Sequence, residues 1–135
     1  ERKSLKLSAP DGGRPRLLLA EDCDPVRIVT AAMLKGMGCD VEAVVHGEQA
    51  VKCASETTFD VIVLDIEMPI MDGITATRHI RSYQAYEHVP IVAVTANAMS
   101  DERAHCLASG MQDYLLKPLE RETLLNCLAK WIRTH

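Results

Sequence analysis

Short apolar runs alternate along this chain with longer stretches whose apolar residues recur every three or four positions. The runs at 17–20, 41–45, 61–64, 91–94 and 114–116 have the length and residue types of buried strands. The stretches between them have helical periodicity. In the first, Val26, Val29, Thr30, Met33, Leu34 and Met37 fall on one face. Asp24 as N-cap with Pro25 at the first helical position opens that helix, and Gly36 and Gly38 sit where it should close. A second helix over 47–55 turns Ala50, Val51 and Ala54 inward. A third, after Gly73, uses Ile74, Thr77 and Ile80, with Arg78, His79 and Arg81 read as a solvated face. Residues 82–90 read as a polar loop carrying Tyr83 and Tyr86. A fourth helix takes Ser100 or Asp101 as its cap and ends at Gly110. The last begins near Glu120 and buries Leu124, Leu125, Leu128 and Ile132.

Five strands, each followed by a helix, predict an α/β fold: a parallel sheet covered on both faces, because right-handed crossovers place helices there. Residues 1–14 mix Lys, Arg and Ser with a Pro-Asp-Gly-Gly cluster and are expected to be a linker or tail, leaving 15–135 as one domain. The chain opens on Glu1 rather than Met, so a piece of a longer protein, or a processed product, is expected.

Composition narrows this little. The 135 residues suit a single core, and a net charge of −4 without a basic stripe argues against direct nucleic-acid binding. No run approaches the ~18 apolar residues of a membrane span, so no membrane contact by this domain is expected. Cys23, Cys39, Cys53, Cys106 and Cys127 stand singly, which disfavours a disulfide framework or a zinc site and suggests reduced thiols in the cytoplasm.

The candidate chemistry lies where the apolar runs end. Four of them run directly into polar residues: Glu21-Asp22, Asp65, Thr95 and Lys117. Ligands of open parallel sheets bind outside the carboxyl ends of the strands. Three carboxylates gathered there would repel one another, and a hard cation, Mg²⁺, would relieve this. With the Lys117 ammonium and the Thr95 hydroxyl, the set describes a phosphoryl site in which Asp65, on the central run, is the best nucleophile.

In order and spacing, Glu21-Asp22, Asp65-Ile-Glu-Met-Pro-Ile-Met-Asp-Gly73, Pro90-Ile-Val-Ala-Val-Thr95-Ala-Asn-Ala98 and Lys117-Pro118 resemble the response-regulator receiver domains of two-component signalling. The likeness spans about 16–133. It implies a flavodoxin-like three-layer (βα)5 sandwich with strand order 2-1-3-4-5. It implies phosphorylation at Asp65, with Mg²⁺ held by Asp22, Asp65, the Glu67 carbonyl and, mainly through water, Glu21. Thr95 and Lys117 would contact the phosphoryl group, the Lys117-Pro118 bond would be cis, and Thr95 with Tyr114 would form a switch. The implied donor is a phosphohistidine on a histidine kinase dimerisation domain or a histidine phosphotransferase, docking on the first helix through Val26 and Val29. The motif wording is nearest to receivers of hybrid histidine kinases; a stand-alone regulator is the alternative. Two positions depart from such receivers: Val26 and Cys23 stand where Asn is frequent. A haloacid-dehalogenase-like phosphohydrolase uses the same parts, but there the nucleophilic Asp comes on the first strand, whereas here the acidic pair comes first.

Overall fold

The computed structural model describes residues 7–9, 11–96 and 100–133. Five strands, β1 (Arg16–Ala20), β2 (Asp40–Val44), β3 (Val61–Asp65), β4 (Ile91–Thr95) and β5 (Asp113–Leu116), form one parallel sheet in the order β2-β1-β3-β4-β5. The helices are α1 (Asp24–Gly36), α2 (Gly47–Glu56), α3 (Gly73–Arg81), α4 (Ser100–Ser109) and α5 (Arg121–Arg133). The expected strand order and layering are those observed.

The period-2 alternation of the strands builds two cores. Leu18, Ile62, Leu64, Ile91 and Ala93 pack with Ala50, Ala54, Ala76, Ile80 and Cys106 of α2, α3 and α4. Leu17, Leu19, Val61, Val63 and Val92 pack on the other face with Leu34 of α1 and Leu124, Leu128 and Ile132 of α5. The central strand β3 is buried along its whole length. Each fully buried Leu or Ile contributes about 1.5–3 kcal/mol, and a strand covered on both faces needs no alternation of polar residues.

Several local expectations change. Cys23, not Asp24, occupies the N-cap of α1, and it makes no side-chain capping bond; Asp24 is already helical and pairs with Arg27. On α1, Thr30 and Leu34 are buried but Val29 remains 57% exposed. His46 caps α2, its Nδ1 accepting from the Gln49 N–H at 3.2 Å. Within 82–90 a 3-10 turn (Gln84–Tyr86) buries Tyr86, whose hydroxyl donates to the Ala54 and Thr57 carbonyls at 2.9 and 2.6 Å. The expected polar loop therefore supplies a core residue. Arg81 likewise leaves the solvated face. Its guanidinium lies half-buried and donates to the carbonyls of Gly110, Tyr86 and Val89 and to Gln112 Oε1, tying α3 to the start of β5. The side chains of Ser100 and Asp101, expected to cap α4, lie outside the described residues.

Leu7 and Ala9, in the stretch expected to be a tail, are buried, and the Leu7 N–H donates to the Met37 carbonyl at the end of α1 at 2.7 Å. All five cysteines are free. Burial pushes the Cys39 thiol up to about 11, and burial with the neighbouring Asp113 carboxylate, which accepts from Cys127 Sγ at 3.4 Å, pushes the Cys127 thiol to about 12, so both stay protonated. No described helix is long and apolar enough to cross a membrane.

Candidate functional site

Strand register determines which side chains can meet. Ala20 pairs with Leu64, so Glu21 and Asp65 follow at the same level of adjacent strands, about 4.8 Å apart. Glu21 continues the parity of Leu17 and Leu19, Asp65 that of Val61 and Val63, and Lys117 that of Leu115. Leu17, Leu19, Val61, Val63 and Leu115 all face the α1–α5 core. Three charged groups from three strand ends thus project to one side of the sheet. Thr95 continues the parity of Ile91 and Ala93, which face the opposite core, and Tyr114 packs against that same core.

Lys117 reaches over the end of β4. Its Nζ lies 2.9 Å from Glu21 Oε1 and 3.1 Å from Asp65 Oδ2. The two carboxylates are nearly inaccessible, at 4% and 3% side-chain exposure, so this ammonium is the compensating cation the structure provides. Their other oxygens accept backbone N–H groups: Cys23 to Glu21 Oε2 at 3.1 Å and Glu67 to Asp65 Oδ1 at 3.2 Å. Asp22 is exposed beside them, and one carboxylate oxygen from each of Glu21, Asp22 and Asp65 lies within 4.8 Å of the others. The Glu67 side chain is exposed and stands outside that group, leaving its backbone as its means of acting on the site.

Burial, reinforced by the neighbouring Glu21 charge and opposed by Lys117, pushes the Asp65 carboxyl up to about 7. Burial would lower the Lys117 pKa, but its bonds to Glu21 and Asp65 hold it above the ordinary lysine value. Without a further cation, then, the site holds a carboxyl that ionises reluctantly. The donor set suits Mg²⁺: oxygen ligands only, three of them carboxylates, one on the open side.

The loop joining β3 to α3 is tightly constrained. A Cβ on Gly73 would stand 2.5 Å from the Asp65 carbonyl oxygen, so only glycine lets α3 begin that close to the strand end. Asp72 caps α3 through the Thr75 N–H at 2.8 Å. Ile70 adopts φ 70°, an unusual conformation for a β-branched residue.

Of the residues singled out in the sequence, Glu21, Asp22, Asp65 and Lys117 come together. Thr95 is fully buried at the end of β4, where its carbonyl accepts the Lys117 N–H at 2.8 Å. The Lys117-Pro118 bond is cis. Tyr114 is half-buried and lines a cavity of about 510 Å³ with Arg103, Leu116 and Glu120. Val26 and Val29 line an apolar groove of about 450 Å³ whose opposite wall is Lys117, Pro118 and Leu119. The groove therefore borders the charged cluster through Lys117. What the sequence did not signal is that Lys117 bridges Glu21 as well as Asp65, because no local pattern records a contact across three strands.

Comparison with known proteins shows what this chain resembles. The family model for the response regulator receiver domain matches residues 17–129. The sensor protein GacS of Pseudomonas syringae pv. syringae is 39% identical over 120 residues, covering 87% of this chain and 13% of that protein. The signal transduction histidine-protein kinase BarA of Escherichia coli K12 is 40% identical over 115 residues, 84% of this chain and 12% of the kinase. The chain thus spans about an eighth of the length of these relatives. Among solved structures, the receiver domain of a sensor histidine kinase from Pseudomonas aeruginosa PAO1, with a magnesium ion coordinated in its active site cleft, superposes with a TM-score of 0.84 at 41% identity. That match covers 90% of this chain and 99% of the other.

Proposed function

This chain belongs to the response regulator receiver domain family, and from that membership we propose that it accepts a phosphoryl group from a phosphohistidine onto Asp65 with Mg²⁺, as the receiver portion of a longer hybrid histidine kinase. The observation that carries this reading is the meeting of Glu21, Asp65 and Lys117 at one sheet edge, with the exposed Asp22 completing a carboxylate set open on one side. Asp22, Asp65 and the Glu67 carbonyl, with Glu21 mainly through water, would hold Mg²⁺ there, and the ion would supply charge neutralisation for the phosphoryl oxygens.

The chain's own residues do the rest. Asp65 must be ionised to attack. A bond forms between one of its carboxylate oxygens and phosphorus as the N–P bond of the phosphohistidine breaks, and the imidazole leaves with the electron pair. Lys117, already within 3.1 Å of Asp65, exchanges its carboxylate contact for a phosphoryl oxygen, and the Thr95 hydroxyl donates to another. Drawing Thr95 toward the phosphoryl group frees space on the side of the sheet where Tyr114 packs, so the pair forms a switch. NMR of the Tyr114 ring with and without a stable phosphoryl mimic reads this; an unchanged ring environment would exclude it.

The donor is a histidine-bearing helical domain, either a kinase dimerisation domain or a phosphotransferase, seated in the groove of Val26 and Val29. Acetyl phosphate with MgCl₂ should add one base-labile phosphoryl group to the wild type and none to Asp65→Asn. Asp22→Ala should weaken Mg²⁺ binding at least tenfold by calorimetry. Val29→Asp should label normally from acetyl phosphate but accept from a phosphohistidine donor at least fivefold more slowly. Labelling of Asp65→Asn at the wild-type level would move the acceptor elsewhere; equal transfer to Val29→Asp would move the dock.

A further inference from the structure

The loop that follows Asp65 is gripped by a helix that supplies no residue to the charged cluster. α2 opens at Gly47, and the Gly47 N–H donates to the Met71 carbonyl at 3.0 Å. A Cβ at position 47 would stand 2.2 Å from that oxygen and 2.9 Å from its carbon. Both atoms are backbone, so neither can swing aside as a flexible side chain would.

Met71 is a demanding place to hold. Its N–H donates to the Pro69 carbonyl at 2.7 Å, closing a three-residue turn around Ile70 at φ 70°. Such a turn is strained for any L-residue and more so for a β-branched one. Ile70 is 75% exposed, so little packing of its own offsets the strain. The conformation is held from the ends of the loop: by Gly73 N–H to the Ile66 carbonyl at 2.9 Å, and by Gly47 on Met71. The same loop carries Glu67, whose N–H donates to Asp65 Oδ1 at 3.2 Å and whose carbonyl would be a ligand of Mg²⁺.

We propose that Gly47 is a positioning residue for the metal-binding end of the site. By admitting α2 to the Met71 peptide, it fixes the path of residues 66–72, and through them the Glu67 peptide and the Asp65 carboxylate. This rests on the Mg²⁺ reading of the cluster. A methyl group at position 47 forces the helix and the loop apart by about 1 Å before ordinary carbon contacts are restored. A displacement of that size at a loop carrying a ligand is enough to cost at least tenfold in binding and reaction.

The test compares three proteins: wild type, Gly47→Ala and Tyr86→Phe. The last removes the hydroxyl that bonds the Ala54 and Thr57 carbonyls at the other end of α2, so it loosens the same helix away from the loop. Gly47→Ala should bind MgCl₂ at least tenfold more weakly by calorimetry and label from acetyl phosphate at least tenfold more slowly. Tyr86→Phe should lose thermal stability yet keep Mg²⁺ affinity within twofold. A wild type that binds no Mg²⁺ removes the metal reading and this one with it. Wild-type binding matched by Gly47→Ala, or weakened as much in Tyr86→Phe, overturns the positioning role alone. Should Gly47→Ala fail to fold, the wild-type Gly47 amide supplies the readout. Saturating Mg²⁺ should slow its hydrogen exchange at least threefold, and unaltered exchange overturns the proposal.

Discussion

Metal-free Asp65→Asn is expected to be more stable than the parent domain at pH 8, by about 1–3 kcal/mol, or roughly 5–10 °C in Tm. The reason is the cost of ionising a buried acid. The Asp65 carboxyl is pushed up to about 7 from an ordinary 3.8. Well below pH 3.8 both folded and unfolded chains hold the proton, and there is no penalty. Between about pH 4 and 7 the unfolded chain has lost the proton that the folded chain keeps, so stability falls as pH rises. Above 7 the loss is complete, on the order of 4 kcal/mol. Asparagine does not ionise and avoids it, giving back part of the gain through a weaker contact with Lys117. Urea unfolding at pH 5 and pH 8 without divalent cations measures this. The advantage of Asp65→Asn should shrink markedly at pH 5 and be reduced again at pH 8 when millimolar Mg²⁺ stabilises the wild type by mass action. An advantage that is absent at pH 8, or that does not change with pH, contradicts the account.

Lys117→Met should have the opposite sign and comparable size. Removing the ammonium leaves Glu21 and Asp65 facing each other at 4% and 3% side-chain exposure without their cation. Breaking a buried ion pair from one side costs about 3–5 kcal/mol; Lys117 is 22% exposed, so the lower end is expected. The wild-type contribution of Lys117 is fully present at neutral pH, because its folded pKa is raised and is lost only at strongly alkaline pH. The deficit should be largest near pH 8, where both carboxylates must be charged. It should narrow toward pH 5, where Asp65 takes up its proton, and narrow at pH 8 on adding Mg²⁺. Guanidinium unfolding across that range reads it. A deficit that grows as pH falls would mean that Lys117 is held by something other than these two carboxylates.

The layout of the domain was legible in the chain because its signals are local. Each strand is an apolar run, each helix an apolar stripe, and their alternation admits a parallel sheet covered on both faces. The site was legible for the same reason: Glu21, Asp65, Thr95 and Lys117 each follow an apolar run directly, and parallel strands must deliver such residues to one edge. Motif order then identified the family on which the sheet order and the Lys117-Pro118 cis bond rested. Pairings between distant residues were not legible. Arg81 read as one more charge on a helix and Tyr86 as part of a polar loop. Most of their partners are backbone carbonyls, of Gly110, Val89, Ala54 and Thr57, and a carbonyl is the same in every residue.

The sequence by itself therefore determined the elements, their alternation and which groups reach the carboxyl edge of the sheet, since these follow from periodicity and strand direction. Only the tertiary structure decided how those groups are held. The register of β1 on β3 sets Glu21 level with Asp65, which makes Lys117 a bridge between two buried carboxylates and adds the Glu21 charge to the burial that raises the Asp65 pKa. The approach of α2 to Met71 turns Gly47 from a helix-opening residue into a backbone contact on the loop beside Asp65. Both depend on distances of a few ångströms between segments far apart in the chain, and no local pattern of residues encodes such distances.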